Sequence, residues 1–201
     1  MRHACRCPGE KISAESLVIV CPHVYNKERK TQKKRRRGME KPAYEKTNVM
    51  RILDGRKIPY VPHTYPLHED GTAPSGTEIA AFLGKDTAAV WKTLVTRGAS
   101  GKIYVFDIPS DAELDLKKAA QAVREKSVEM LKSKELLPTV GYIHGGCSPV
   151  GMKKPFPVTF DASVATLAAV TISAGKVGTQ VEISPADLLR IVPYKTAEIT
   201  K

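Results

Sequence analysis

A chain of 201 residues that is 42% hydrophobic suits one domain with a real core plus an extension, since domains usually run to roughly 100–200 residues. The formal charge of +11 points toward polyanion partners, nucleic acid above all, yet most of the excess sits in residues 27–37 (KERKTQKKRRR), which hold eight Lys/Arg against one Glu. No stretch approaches the roughly 18 continuous apolar residues of a membrane span, and the residues before Leu17-Val-Ile-Val-Cys21 lack the layout of a secretory signal; a cytoplasmic protein with no membrane partner is expected.

Residues 1–41 read as a basic, Cys-containing disordered extension, with no periodicity that would bury a face. His3, Cys5, Cys7, Cys21 and His23 carry zinc-ligand chemistry, but Cys-x-Cys lacks the two-residue gap of a zinc knuckle, so no metal is assigned. Met39 directly follows the Arg run and is an alternative translation start. In a cytosolic setting the cysteines stay reduced.

From Pro42 apolar residues fall near helical spacing, which predicts an amphipathic helix over 42–56. Residues 58–65 (IPYVPHTY) alternate like a strand that Pro59 and Pro62 confine to an edge or an irregular start. A loop, 68–75, leads to a short helix closed by Gly84. Residues 88–96 and 102–109 are strand runs joined by a Gly-containing five-residue hairpin loop. Asp115 caps a helix whose Leu116, Ala119, Ala120 and Val123 face packs on the sheet. Ser127–Met130 reads as a short strand and Ser133–Leu137 as a turn of helix stopped before Pro138. Residues 157–161, 167–173 and 179–183 read as strands, and Ser184 with Pro185 opens a last helix. The fold expected is a mixed, largely antiparallel α+β domain over 42–195, with about seven strands, flanking helices and a C-terminal tail over 196–201.

Between these elements lies Gly141-Tyr-Ile-His-Gly-Gly-Cys-Ser-Pro-Val-Gly-Met-Lys-Lys154. Gly costs about 1 kcal/mol and Pro about 3 in a helix interior, so this is a loop. Glycines let backbone N–H groups approach a ligand closely, which makes a small anion-stabilising pocket available to it. Lys92, inside the strand run Trp91-Lys-Thr-Leu94, is either a solvated residue or a charge projected into a cavity. No Walker loop, dinucleotide fingerprint or His-Glu-x-x-His pattern is present, which disfavours phosphoryl transfer, dehydrogenation and metalloprotease chemistry and implies no cofactor.

Several pieces then line up in order and spacing: His63-Thr-Tyr65, Gly76 with Leu83-Gly84, Trp91-Lys-Thr-Leu94, Leu114-Asp-Leu-Lys-Lys118, Gly141-Tyr142, Gly145-Gly-Cys-Ser-Pro149, Lys153-Lys154 and Ser173-Ala-Gly-Lys176. Together they resemble the YbaK/EbsC family of aminoacyl-tRNA deacylases, relatives of the editing domain inserted in bacterial prolyl-tRNA synthetase. The resemblance covers about residues 42–195. It implies trans-editing of mischarged tRNA(Pro), with cysteine the chief amino acid released and prolyl-tRNA synthetase a candidate partner.

Carried over residue by residue, the resemblance makes Lys92 the essential strand lysine that holds the tRNA acceptor end, and Tyr65 a pocket tyrosine. Gly145, Gly146, Ser148 and Pro149 become the loop that lines the pocket and offers donors near the ester carbonyl, and Lys153 stands at the entrance. An aminoacyl ester is already activated, so positioning and oxyanion stabilisation suffice without a protein nucleophile. In cysteine-specific members the substrate thiol is thought to attack its own carbonyl; in alanine-specific relatives water or the ribose hydroxyl does so. Ser75, where cysteine-specific enzymes tend to carry an aromatic residue, and Gln180, where an acidic residue is usual, depart from the pattern and bear on which amino acid is removed. Two alternatives stand beside this one: nucleophilic catalysis by Cys147 with His144 as base, and a non-catalytic module that binds tRNA or a synthetase.

Overall fold

The computed structural model describes residues 45–201. The extension over 1–41, its cysteines and basic run, the alternative start at Met39 and the first residues of the predicted 42–56 helix lie outside the described residues.

That helix is α1 (Asn48–Gly55), begun where the Thr47 side chain accepts from Met50 N and burying Val49, Met50 and Leu53. Strand β1 (Val61–Thr64) follows and is an edge strand, as Pro62 requires. Helix α2 (Gly76–Leu83) opens on a capping box between Ser75 and Glu78 and closes on Gly84. Strands β2 (Trp91–Gly98) and β3 (Ile103–Pro109) form the expected hairpin. Helix α3 (Leu116–Val123) is capped by Asp115, which accepts from the N–H groups of Lys117 and Lys118. Then come β4 (Val128–Met130), α4 (Ser133–Val140), β5 (Val158–Asp161), β6 (Val170–Lys176), β7 (Thr179–Ile183), α5 (Pro185–Leu189) and β8 (Tyr194–Ala197).

The strands form two sheets, one in the order β1-β7-β6 and one in the order β4-β2-β3-β5-β8. A single parallel bridge, Val90 to Thr171, joins them at the start of β2. Pairing is antiparallel except for β3 with β5 and β5 with β8, so the α+β, largely antiparallel expectation holds. Tyr104, Phe106 and Ile108 of β3 pack on Ala119 and Ala120 of α3 in one apolar cluster. Trp91, Phe160 and Tyr194 stack in series across β2, β5 and β8, with ring centroids 5.5 and 4.4 Å apart.

Two boundaries differ from those expected. Residues 196–201 are packed rather than a tail: β8 pairs with β5, and Ile199 is fully buried in the α3 cluster. Helix α4 does not stop before Pro138 but runs through it to Val140. The proline sits in the last turn, where the Lys153 amine takes up the carbonyls of Leu137 and Pro138 at 2.9 and 3.4 Å and so satisfies acceptors left open at the helix end. Among the described residues no helix is long and apolar enough to cross a membrane.

Candidate active site

A cleft of about 480 Å³ opens between the N-terminus of α2, strand β2, helix α4 and the glycine loop. Of the site residues that the resemblance brings forward, Lys92, Gly145, Ser75 and Gln180 line it. They arrive from four separate segments, which only the folded chain brings together.

Lys92 projects from β2 and its Nζ donates to the Ser110 carbonyl at 3.0 Å. Ser110 in turn sits against Gly76, where a Cβ would come within 2.5 Å of the serine Cβ; only glycine lets the first turn of α2 lie this close to the lysine. Partial burial lowers the pKa of the Lys92 ammonium, opposed by the charges of Asp111 and Glu113. The lysine thus presents a half-desolvated cation whose hydrogen-bonding capacity is only partly used.

On the opposite wall the glycine loop begins where α4 ends at Gly141. The loop is held by its own polar groups: the Tyr142 hydroxyl donates to Val150 O at 2.6 Å, Gly146 N to Ile143 O at 3.0 Å, and Val150 N to Ser148 Oγ at 3.3 Å. Gly145 has φ +77°, and a Cβ there would meet Ala73 Cβ at 2.9 Å. Both the positive φ and the close approach require glycine at this point of the wall.

Five other expected residues stand elsewhere. Ser148 is completely buried and serves the loop's internal bonding. Gly146 packs against Val177 rather than facing the cleft. Tyr65 is buried behind the cleft, where desolvation raises its pKa against hydrogen bonds to Gly178 and Gln180; it reaches the site through Gln180. Pro149 and Lys153 line a second cleft, of about 580 Å³, on the far side of the loop with Arg56 and Lys154. The Lys153 amine, expected at the entrance, closes the end of α4 instead.

Ser75 is both cleft wall and helix cap: its N–H donates to Glu78 Oε2 at 2.7 Å and its hydroxyl to the same oxygen at 2.6 Å. Gln180 is nearly fully buried, and its Oε1 has no hydrogen-bond partner among the described residues. His144 and Cys147 also line the cleft. The Cys147 thiol donates to Ile143 O at 3.6 Å, and burial, with the nearby Asp107, pushes its pKa up to about 11. A thiol so held is a poor nucleophile at neutral pH.

Thr93 and Ser173, quoted above within motifs but given no role, both line the cleft wall, and sequence reasoning missed Asp107 behind Thr93. The signal for Asp107 was present as an acid in the middle of an otherwise apolar strand, Ile103-Tyr-Val-Phe-Asp-Ile108. Among the described residues no group of three His, Cys, Asp or Glu side chains gathers that could hold a metal ion.

Residues 71–191 match the family described as the aminoacyl-tRNA editing domain. A protein of Enterococcus faecalis (strain ATCC 700802 / V583), provisionally named Cys-tRNA(Pro)/Cys-tRNA(Cys) deacylase EbsC, is 42% identical over 161 residues, covering 80% of this chain and 97% of its own. Two solved structures share the fold, each over 76% of this chain. One is a protein provisionally described as a trans-editing enzyme for prolyl-tRNA synthetase, with TM-score 0.66, 24% identity and 94% of its length covered. The other is the hypothetical protein APE2540, with TM-score 0.68, 21% identity and 99% of its length covered. The chain belongs to the family of aminoacyl-tRNA editing domains, in its YbaK/EbsC group of deacylases.

Proposed function

We propose that the protein is a trans-editing deacylase that releases cysteine from mischarged tRNA(Pro), with the 480 Å³ cleft as its site. The observation that carries this reading is that Lys92 and Gly145 line the same cleft: a half-desolvated ammonium and a glycine-built wall, in a cleft otherwise largely apolar. The name of the Enterococcus relative supports cysteine as the amino acid and Cys-tRNA(Cys) as a second substrate. Prolyl-tRNA synthetase is the partner that editing in trans implies.

In this reading the acceptor end lies with its phosphate or ribose against Lys92, and the aminoacyl group enters between β2 and the loop. The ester carbonyl, on attack, develops negative charge that the Lys92 cation and backbone N–H groups of the loop offset; such preorganised donors account for about 10²- to 10³-fold of rate each. The attacking group is not supplied by the chain, since the Cys147 thiol is bonded to Ile143 O and held protonated. It is the substrate's own thiol or water.

The test is deacylation by the full chain of Cys-, Ala- and Ser-charged tRNA(Pro) and of Cys-tRNA(Cys). Preferential release of cysteine is expected. Release of alanine or serine in preference would overturn the amino-acid assignment, and no release from any of them would leave a binding module in its place.

A further inference from the structure

The β2–β3 register sets Thr93 directly opposite Asp107, so the two side chains stand on one face of the sheet. Thr93 lines the cleft, and Asp107 lies behind it with no exposed surface. Thr93 Oγ1 donates to Asp107 Oδ1 at 2.6 Å, and Oδ2 has no hydrogen-bond partner among the described residues.

Burial pushes the Asp107 carboxyl up to about 8, with the Thr93 hydrogen bond pulling the other way. From β2 it meets Thr93, from the glycine loop the Cys147 thiol, and its register partner on β5 is Phe160, which does not titrate. No cation among the described residues offsets it. At neutral pH it is therefore mainly the uncharged acid.

A threonine hydroxyl has one proton to give and two lone pairs to offer. The Thr93 proton goes to Asp107 Oδ1, which leaves the acid's own proton on the unpartnered Oδ2, so only the hydroxyl's lone pairs remain for the cleft. A freely rotating hydroxyl would meet donors and acceptors alike; this one meets donors only. The aminoacyl group of a charged tRNA carries such donors, its α-ammonium and, for cysteine, its S–H.

We infer that Asp107 is a positioning residue for deacylation: through Thr93 it makes the β2 wall a fixed acceptor that orients a donor group of the bound aminoacyl ester. The inference rests on the deacylase reading above and assigns a role to a residue that never touches the substrate. Its consequence is a division between two otherwise similar substitutions. Asp107→Asn keeps an acceptor oxygen for Thr93, whereas Asp107→Leu removes it and frees the hydroxyl to turn.

The experiment measures kcat and KM of the full chain on Cys-tRNA(Pro) for wild type, Asp107→Asn, Asp107→Leu, Thr93→Val and the Thr93→Val/Asp107→Leu pair, with thermal melts as a fold control. Asp107→Leu and Thr93→Val are each expected to lose roughly tenfold in kcat/KM, the scale of one well-placed hydrogen bond. The pair should be no worse than Thr93→Val alone, because Asp107 acts only through that hydroxyl. Asp107→Asn should stay within about threefold of wild type. Wild-type turnover by Asp107→Leu, losses that multiply in the pair, or an equal loss in Asp107→Asn would each overturn the inference. Should Asp107→Leu fail to fold, Thr93→Val against Asp107→Asn decides it: wild-type turnover by the first, or a tenfold loss in the second, refutes the role. An inactive wild type refutes the deacylase reading instead, and the two failures are thereby separate.

Discussion

The Tyr142 hydroxyl donates to the Val150 carbonyl at 2.6 Å, out of solvent, and so ties the two ends of the glycine loop across eight residues. The ring that makes this bond is also the reason for Gly175, since a Cβ at that position would come within 2.8 Å of Tyr142 Cε1. A loop of four glycines is costly to order, because glycine loses more backbone freedom than other residues on folding. The tyrosine offsets part of that cost from within.

Tyr142→Phe keeps the ring and removes the donor, leaving the Val150 carbonyl buried without its partner. The expected loss is about 1–3 kcal/mol of stability, read from urea melts. Activity should fall further than stability alone explains, because the same loop forms the wall opposite Lys92. Unchanged melts and turnover would show that the loop is held by its packing alone.

Lys92→Ala should lower deacylation sharply while leaving the fold intact. The amine's hydrogen bond is to the Ser110 carbonyl, and the side chain is only half-buried, so little packing is lost. A fall of about 10²- to 10³-fold in kcat is expected if the lysine acts on the developing oxyanion, against a rise in KM alone if it only holds the acceptor end. Steady-state rates on Cys-tRNA(Pro), with tRNA binding measured separately, distinguish the two. Near-normal turnover by Lys92→Ala would remove the lysine from the site.

How much of this could be read before folding depended on whether a residue's job was local. The Lys92 strand, the hairpin and the glycine loop announce themselves by short-range signals: a cation in a β-rich run, glycines between two strands, four glycines where a helix cannot form. The job of Lys153 is not local. A lysine following a glycine loop reads as a charge at an entrance, and only the return of that loop onto α4 shows its amine on the carbonyls of Leu137 and Pro138. Tyr65 likewise matched a pocket position, yet stands one residue removed from the cleft, behind Gln180. The C-terminal strand was missed for a related reason. Tyr194-Lys-Thr-Ala197 is short and polar, and it is an edge strand whose pairing with β5 leaves few apolar residues in sequence to mark it.

Ile199 tests that last point. It is fully buried among Phe106, Ile108 and the α3 alanines, and its backbone N–H donates to Asp161 Oδ2 at 3.1 Å while its carbonyl accepts from Asp115 N at 2.8 Å. The end of the chain is therefore pinned at the cap of α3. Ile199→Ala should cost about 2–5 kcal/mol through lost burial and the cavity left behind, measured by denaturant unfolding. A loss below half a kcal/mol, on the order of an exposed substitution, would return residues 196–201 to the status of a tail.

Asp107 sets a pH dependence on stability that is separate from its part in turnover. An unfolded aspartate releases its proton near pH 4, whereas the buried carboxyl holds it up to about pH 8. Between those limits folding takes up a proton, so the contribution of the neutral acid is complete below about pH 4 and is lost as the pH rises through 8. Asp107→Asn has the same shape and nothing to titrate. Compared with that variant, wild type should lose stability from pH 5 to pH 8 at up to about 1.4 kcal/mol per pH unit, with the two denaturation midpoints converging or crossing. Because wild type carries other titrating groups, the difference between the two proteins is the quantity that isolates Asp107. Parallel curves across that range would mean that the folded carboxyl ionises as an exposed one does, and that Thr93 donates to a carboxylate.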